Sequence, residues 1–518
     1  MRLATGIVGD APGWQLLLRQ EGIPHSVANS DLQPEQYSAI VVSDTDDRQA
    51  IGRVRSYLDA GGGVLCSGKM YSAITMNASS SRHVRFISPE PNSIYPGIGL
   101  VDVGRPCDLP TAANSLRTDE NAAAAFVGPV GAGMLIALPF DAGSIAGDSA
   151  VSRRSFYARR RRLPFERVSS VSKSGVRKLV SRSLEVIHHR RGLPFVHVWY
   201  YPSGASTACA FRVDTDDADE REIRNLHDLA AGWKVPVSWY VHVKAHERYC
   251  DLFREMPGDE IGVHCYEHKI HGDADSTRRD IRRAIEVLHS VGLSPRGYAA
   301  PYGIWNDAVS EAIVPFHFEY SSEFSYDYDN LPSWPMGAAG FSETLQIPIH
   351  PISIGSLRRQ GFSEEEMIDY FSEAVELKMA SHDPLIFYHH PKNGHHRVLE
   401  QLFGMMRQAE IPAMTMSDIA SWWRRRQHVE PQMTFSGSLL HMKTTSAERD
   451  VRLHLTRADG TEAMIPASPQ IDFNRIEWKP VRSTKPMPAD MTRIRKFNPW
   501  IPINRIEDSI SKLMRPRR

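Results

Sequence analysis

The chain has 518 residues, which is enough for two or three domains at roughly 150 residues per domain. Its composition, 42% hydrophobic and 24% charged with a net charge of zero, is that of an ordinary globular protein with ample core. Five scattered cysteines argue against a disulfide framework, and the lack of any apolar run of ~18 residues argues against a membrane-spanning helix.

The first 150 residues alternate between strand and helix patterns. "LATGIVG" and "YSAIVVS" are apolar strand candidates, separated by the short helix "GWQLLLRQEG". "RQAIGRVRSYLDAGGGVLCSG" predicts a helix that ends at glycines and leads into a third strand. Strands that alternate with helices predict a parallel sheet, so we expect a flavodoxin-like α/β domain over residues 1–150.

This N-terminal portion resembles the glutamine-amidotransferase-like flavodoxin-type domains, most clearly at "YLDAGGGVLCSG". In active members a nucleophilic cysteine stands at a strand-to-helix elbow and is served by a His and a Glu, and Cys66 falls close to that place. No His-x-Glu pair follows in the domain to activate the thiol. We therefore interpret Cys66 as a buried strand residue and predict a non-catalytic domain.

The remaining chain divides into four predicted regions. Residues 151–191 are a basic linker with one amphipathic helix, and residues 192–428 are a second α/β region. Residues 429–481 form a small β-rich module, because "DVRLHLTRADGTEAMIP" alternates apolar and polar residues around an Asp-Gly turn. Residues 482–518 are a basic tail.

Positive charge is concentrated in two segments. Residues 153–191 carry 13 Lys/Arg against two Glu, and residues 482–518 carry 10 Lys/Arg against three acids, so together they hold +18 and the remaining chain holds −18. This asymmetry is compatible with an anionic surface, although such runs are more often linkers or solvated faces. One face of a predicted helix in the tail carries Ile503, Ile506, Ile510 and Leu513, which fits a helix on a membrane surface or, by preference, a packing helix.

The expected compartment is the cytoplasm. "MRLATGIVGDAPGW" lacks the basic region and long apolar stretch of a signal peptide. The basic segments add the expectation of peripheral contact with an anionic membrane at its inner face.

The acidic stretch "FRVDTDDADE" raises the question of what offsets its charge. Five carboxylates lie within the seven residues from Asp214 to Glu220, and like charges this close repel. A solvated acidic loop at a helix N-terminus is one interpretation, and a cation site is the other. A calcium loop of the EF-hand type is excluded, because Asp219 stands where such a loop has glycine.

Two histidine motifs supply ligands for a cation. "EIGVHCYEH" places His264 and His268 four residues apart after a short strand, a spacing that lets two imidazoles converge on one metal. "PLIFYHHP" ends another apolar strand with His389 and His390. Chemistry in α/β folds collects at the carboxyl ends of strands, so we expect these groups and the acidic stretch to face one pocket.

With these motifs in order, residues from about 194 to 425 resemble the NodB-homology polysaccharide deacetylases, carbohydrate esterase family 4. "RVDTDD" takes the place of the first motif, which pairs a catalytic-base Asp with a metal-binding Asp. "HCYEH" meets the second motif, His-[Ser/Thr]-x-x-His, with Cys265 at the hydroxyl position. "AAPYG" corresponds to the third, "DNLPSW" loosely to the fourth and "LIFYHHP" to the last. The resemblance implies a distorted (β/α) barrel as the central fold.

The resemblance also implies catalytic and metal-binding roles. The implied base is Asp214, the implied acid is His390, and the implied ligands of a divalent metal, zinc by preference, are Asp216, His264 and His268. The spacing "DTDD" leaves Asp217 open as the alternative ligand, although period-two alternation puts the side chains of 214 and 216 on one face. His389 likewise stays open as the alternative acid.

Substrate contacts are implied at the third and fourth motifs. Pro301, Tyr302 and Trp334 fall in them, and the backbone N–H near Tyr302 is expected to help hold the oxyanion. Ala299 departs from the family, which has an arginine there to orient the base. Arg212, two residues before Asp214 on the same predicted face, is a candidate replacement; an ordinary strand arginine is the equal alternative.

These observations predict a metal-dependent hydrolase that removes an N-acyl group, by preference N-acetyl, from an amino sugar in a glycan or glycolipid precursor. The expected partner is an N-acylated sugar and not a nucleic acid. A non-sugar amidase or deformylase of the same fold is the alternative hydrolase. A catalytically inactive carbohydrate-binding relic is the alternative outside enzymes.

Overall fold

The computed structural model describes residues 1–156, 158, 163–337, 340–444, 448–481 and 506. The fold is mixed α/β, as predicted, and contains two large sheets built mainly from parallel strands. Within the described residues, no helix combines the length and the apolar character needed to cross a membrane.

The first large sheet has the predicted flavodoxin-like order. Its strand order is β3-β2-β4-β5-β10-β9, with parallel pairing up to β10 and an antiparallel edge strand β9. Numbered among themselves, the five parallel strands follow the 2-1-3-4-5 order of flavodoxin-like sheets. The elements of this region are β1 Arg2–Leu3, β2 Thr5–Val8, α1 Pro12–Glu21, β3 His25–Val27, β4 Ala39–Val42, α2 Arg48–Asp59, β5 Gly63–Ser67, α3 Gly68–Thr75, β6 Ser79–Pro89, β7 Val101–Pro110, β8 Leu116–Thr118, β9 Phe126–Val130, β10 Gly133–Leu138 and α4 Ala142–Ala146.

The segment predicted as a linker contains the predicted helix and is packed into the fold. Its elements are β11 Val151–Ser155, β12 Phe165–Ser169 and α5 Lys173–Arg190. The apolar face of α5, including Val176 and Leu184, is fully buried in the core of the first sheet. Gly63 permits this approach, because a Cβ there would lie 2.1 Å from Cγ2 of Ile187. Residues 1–190 are therefore called the N-terminal unit below.

Several cations of this basic segment are neutralised inside the protein. Arg177 pairs with Glu21, and both side chains are buried. Arg154 lies 2.9 Å from Asp102, again with little exposure. Part of the positive charge of residues 153–191 thus serves packing, which reduces the charge that this segment offers to an anionic surface.

The second large sheet is the predicted barrel in incomplete form. The elements of this region are β13 Phe195–Val198, β14 Cys209–Asp214, α6 Glu220–Trp233, β15 Val237–His242, α7 Val243–His246, β16 Glu260–Cys265, α8 Ala274–Ser290, β17 Gly297–Tyr298, α9 Asp307–Ile313, β18 Tyr320–Ser321, β19 Met336–Gly337, β20 Gly340–Phe341, β21 Leu345–Gln346, α10 Ile354–Arg359, α11 Glu364–Ala380, β22 Leu385–His389, α12 His396–Gln408 and α13 Met416–His428. The sheet is open and has seven parallel strands in the order β21-β18-β17-β16-β15-β14-β22.

Parallel pairing brings the predicted motifs to one edge of this sheet. Strand β14 is buried along its whole length and ends at Asp214, next to β15 on one side and β22 on the other. Strand β16 ends with His264 and Cys265, and β22 ends with His389. Because the carboxyl ends of parallel strands meet at the same edge, side chains that are distant in sequence surround one site.

The C-terminal β-rich region pairs with strands from elsewhere in the chain. Its elements are β23 Gln432–Ser436, β24 Leu439–Lys443, β25 Arg452–Thr456, β26 Thr461–Pro466, β27 Gln470–Asp472 and β28 Lys479–Pro480. The predicted hairpin is present as antiparallel β25 and β26. Strand β25 also pairs with β13, and β23 pairs with β1 at the N-terminus. The predicted tail helix lies outside the described residues except for Ile506.

Candidate active site

Three predicted ligands converge at the carboxyl edge of the barrel. Oδ1 of Asp216 lies 3.5 Å from Nε2 of His264 and 3.2 Å from Nε2 of His268. The two Nε2 atoms are 3.1 Å apart. The ligand atoms of all three residues lie within 4.8 Å of one another, so they can bind a single ion.

The contacts of Asp216 fit a metal ligand. Oδ1 is buried and makes no hydrogen bond among the described residues. Burial by itself would raise the pKa of Asp216, but the imidazoles of His264 and His268 hold it well below its ordinary value. Two imidazoles and one carboxylate are also the protein ligands of several catalytic zinc sites. The residues present therefore fit a divalent metal.

Outer contacts orient these ligands. Nδ1 of His264 lies 2.7 Å from the carbonyl oxygen of Ala299. Nδ1 of His242 lies 2.8 Å from the carbonyl oxygen of Asp216, whose backbone has a positive φ of 45°. The ring of His242 also lies 5.5 Å from that of His268. Second-shell hydrogen bonds of this kind fix the tautomer and direction of a ligand.

His242 was not among the site residues predicted from the sequence. The signal was available in "HVKAH", where a strand ends in a histidine that has a second histidine four residues later. That second residue, His246, is buried at 0% exposure, and burial lowers its pKa to about 4. His246 is therefore a neutral packing residue beside the site.

Arg212 binds and orients the carboxylate of Asp214. Its Nε donates to Oδ1 of Asp214 and an Nη donates to Oδ2, each over 2.7 Å. Both side chains are nearly fully buried. Burial alone would raise the pKa of Asp214, but Arg212 and then His264 hold it below its ordinary value. Asp214 is therefore an ionised carboxylate in a fixed orientation.

The geometry separates Asp216 from Asp217. The Asp217 side chain is 72% exposed, and its Oδ2 lies 3.2 Å from Nζ of Lys392. Asp216 belongs to the convergent cluster described above. The period-two alternation of a strand does not determine the direction of the Asp216 side chain, because β14 ends at Asp214.

The two histidines after β22 also differ. Nε2 of His390 lies 3.6 Å from Oδ2 of Asp216, so its ring borders the metal-ligand cluster. Burial lowers the pKa of His390, while Asp216 opposes that effect. His389 is fully buried and stacks on Phe211, with neither ring nitrogen hydrogen-bonded among the described residues.

Two of the remaining substrate-site predictions lie beside the cluster. The ring of Tyr302 lies 4.8 Å from that of His268 and is the exposed part of the site, with Tyr302 at 59% exposure. Its backbone has a φ of 59°, an uncommon conformation for a non-glycine residue. Pro301, next to it, is buried.

Trp334 has different neighbours. It lines a narrow crevice together with Leu16 and Arg19 of helix α1 and with Phe341. The structure therefore places it against the N-terminal unit, and a role in substrate binding stays a prediction.

Part of the central region matches a known protein family. Residues 214–320 match the family model for polysaccharide deacetylases. This matched range contains Asp214, Asp216, His264 and His268. Comparison with curated proteins gave no significant match. The resemblance of the N-terminal portion to amidotransferase-like domains stays a prediction.

Solved structures similar to this chain include three with comparable coverage. A probable polysaccharide deacetylase from Pseudomonas aeruginosa PAO1 is 20% identical, with a TM-score of 0.38 over 44% of this chain and 93% of that one. A similarly described protein from Mycobacterium smegmatis is 20% identical, with a TM-score of 0.39 over 46% of this chain and 98% of that one. The Puue allantoinase is 19% identical, with a TM-score of 0.38 over 44% of this chain and 93% of that one.

Proposed function

We propose that the protein is a metal-dependent hydrolase that removes an N-acyl group, N-acetyl by preference, from an amino sugar in a glycan or glycolipid precursor. The observation that carries the proposal is the convergence of Asp216, His264 and His268 beside a carboxylate, Asp214, that Arg212 holds in place. The match of residues 214–320 to the polysaccharide deacetylase family supports the same reaction class.

Asp216, His264 and His268 would hold the metal, for which zinc suits the ligand set. A divalent ion in such a site lowers the pKa of a water molecule and polarises an acyl carbonyl. The reaction is then amide hydrolysis, in which water attacks the acyl carbon and the C–N bond breaks to release a carboxylic acid and an amine.

The remaining residues supply proton transfer. Asp214 takes the proton of the attacking water, for which its ionised state and fixed orientation suit it. His390, whose Nε2 lies 3.6 Å from Oδ2 of Asp216, donates a proton to the departing amine. Burial lowers the pKa of His390 and Asp216 opposes that effect, so the protonated ring is a stronger acid than an exposed imidazolium but is less populated. The backbone N–H near Tyr302 stabilises the negative charge that develops on the acyl oxygen.

The N-terminal unit takes no part in this chemistry through Cys66. Cys66 lies in β5 at 1% exposure, and burial raises the pKa of its thiol far above the ordinary range. A thiol must ionise to attack a substrate. We therefore propose that this unit is non-catalytic, in agreement with the sequence prediction.

A substrate panel tests the proposed function. Zinc-loaded protein is incubated with N-acetylglucosamine oligomers, an N-formylated amino sugar and a cyclic ureide, and acetate, formate and ring opening are measured. Acetate release that Asp214→Asn abolishes supports the proposal. Formate release or ring opening alone would replace it with the amidase function. No turnover of any of these compounds by metal-loaded protein would contradict it and favour a binding role.

A further inference from the structure

The N-terminal unit makes several contacts with one segment of the barrel, residues 322–334, here called the clamped segment. Nε2 of Gln20 donates to the carbonyl oxygen of Leu331 over 2.8 Å. Nε of Arg177 donates to Oδ1 of Asn330 over 2.8 Å. Gln20 belongs to helix α1 and Arg177 to helix α5, so the interface is formed by two helices and not by a single loop.

Two further contacts hold the middle of the same segment. Nζ of Lys173 lies 3.6 Å above the ring of Tyr326. The hydroxyl of Tyr328 accepts a hydrogen bond from Arg154 and lies 3.0 Å from Oγ of Ser172. Lys173 is one helical turn before the arginine that binds Asn330, so one face of α5 meets the segment.

The contact is buried and polar. Gln20 and Arg177 are each 2% exposed, Lys173 is 4% exposed, and Asn330 is 1% exposed. Buried polar groups cost free energy unless they are hydrogen-bonded. Gln20, Arg177 and Asn330 are hydrogen-bonded across the interface, whereas Nζ of Lys173 makes no hydrogen bond among the described residues and lies over the ring of Tyr326. The clamped segment is therefore held in one position relative to the N-terminal unit.

The other end of the clamped segment reaches Asp214 through Arg212. The carbonyl oxygen of Ser322 accepts from Nη1 of Arg212, and Oγ of Ser322 lies 3.1 Å from the same nitrogen. The remaining guanidinium donors of Arg212 bind the carboxylate of Asp214. Movement of Ser322 would therefore move the arginine that aligns the proposed base.

The same end supports residues 299–305, here called the tyrosine loop because it contains Tyr302. Oε1 of Glu323 accepts from the backbone N–H of Ala300 over 3.1 Å. Oγ of Ser325 accepts from the backbone N–H of Trp305 over 2.6 Å. Two neighbouring positions of the clamped segment thus fix the start and the end of the tyrosine loop.

From these contacts we propose that the N-terminal unit is a positioning domain for the barrel: through the clamped segment it fixes Arg212 and the tyrosine loop around the reacting carboxylate. This inference rests on the proposed function for its catalytic consequence. Gln20 and Tyr328 are positioning residues in this scheme, because both act through the segment and neither touches the metal-ligand cluster. The N-terminal unit then contributes to the reaction by positioning residues of the barrel and not through the buried thiol of Cys66.

The test uses the full chain with the double substitution Gln20→Leu and Tyr328→Phe, which removes the hydrogen bonds of Gln20 to Leu331 and Pro332 and those of Tyr328 to Arg154 and Ser172 at nearly constant volume. The matched control is Tyr95→Phe, because the Tyr95 hydroxyl lies 2.9 Å from Oγ of Ser183 on the same helix α5 but inside the N-terminal unit. Amide hydrogen exchange, zinc content and kcat on N-acetylglucosamine oligomers are measured for both variants and the wild type.

We expect exchange in the clamped segment and the tyrosine loop to accelerate about fivefold or more in the double variant. We also expect kcat to fall by a similar factor at unchanged zinc content, while the control keeps wild-type exchange in both segments. Wild-type exchange in the tyrosine loop, or an equal acceleration across the whole barrel, would overturn the proposal. Faster exchange in these segments in a protein whose wild type hydrolyses nothing would leave the positioning role standing and refute the proposed function alone.

Discussion

Arg212 and Asp214 lie two residues apart on one buried strand and share two hydrogen bonds of 2.7 Å. A strand places residues i and i+2 on the same face, so local geometry puts the two side chains on one side of β14. The resemblance noted in the sequence leads one to expect an arginine at position 299, where this chain has Ala299. In this structure the arginine that binds Asp214 lies on the same strand as the proposed base.

Arg212→Lys tests this pair. Lysine keeps the charge but loses the paired donors that hold both carboxylate oxygens, so Asp214 can rotate. We expect kcat to fall about tenfold to a hundredfold while zinc content stays at the wild-type level. Arg224→Lys is the control, since Arg224 forms exposed pairs with Glu220 and Glu255. An unchanged kcat in Arg212→Lys would show that the pair serves stability alone.

The metal ligand is tested by two neighbouring substitutions. Asp216→Asn should lose zinc and activity, because Asp216 supplies the only carboxylate of the convergent cluster in the described residues. Asp217→Asn should keep both, because its side chain is exposed and pairs with Lys392. Elemental analysis after dialysis decides the outcome. Loss of zinc in Asp217→Asn but not in Asp216→Asn would move the ligand by one residue.

The proton donor is tested at the end of β22. His390→Ala should lower kcat about 100- to 10,000-fold without loss of zinc, as expected when a general acid is removed. His389→Phe should keep activity with a changed melting temperature, since His389 is fully buried and stacks on Phe211. Single-turnover rates for both variants decide between them. A rate loss confined to His389→Phe would refute the assignment of His390.

Glu323 should make stability depend on pH. Burial raises its pKa from 4.5 to about 7 in the folded protein, although the N–H of Ala300 and Arg212 oppose that effect. The folded protein thus keeps a proton that the unfolded chain has released. The stabilisation is complete below pH 4.5 and is lost as the pH rises through about 7.

Glu323→Gln removes this ionisation. Between pH 5 and pH 8 the wild type should lose roughly 2–3 kcal/mol of unfolding free energy relative to the variant. Urea unfolding at both pH values measures the difference. Glu311→Gln, at an exposed carboxylate, should follow the wild type at each pH. A constant difference between Glu323→Gln and the wild type would place the folded-state pKa at its ordinary value.

The basic tail carries the proposal of membrane contact. Several cations of residues 153–191 are paired inside the protein, whereas residues 482–518 carry 10 Lys/Arg against three acids. Clustered Lys/Arg near such a surface gain roughly 1 kcal/mol each. Co-sedimentation should require anionic vesicles, weaken with salt and fall when residues 482–518 are deleted. Equal recovery in the supernatant with neutral and anionic vesicles at low salt would refute the contact.

The sequence by itself determined the ligand types and the strand ends that carry them. Apolar runs ending in "RVD", "GVH" and "FYHH" predict buried parallel strands, and such strands bring their carboxyl ends together. The spacing of His264 and His268 and the two-residue step from Arg212 to Asp214 are local relations, so they could be read without a structure. The predicted flavodoxin-like sheet and the C-terminal hairpin follow from the same short-range patterns.

Only the tertiary structure decided which neighbour in each ambiguous pair faces the site. Asp216 and Asp217 have the same chemistry, and they differ only because the chain turns at Asp216 with a positive φ and directs its carboxylate towards His264. Trp334 lies against helix α1 because the barrel packs on the N-terminal unit there. Residues this far apart in the sequence leave no local pattern that could predict the contact. The contacts between the N-terminal unit and residues 322–334 join residues more than 150 positions apart. They therefore follow from packing between the two regions and could not be predicted from a local sequence pattern.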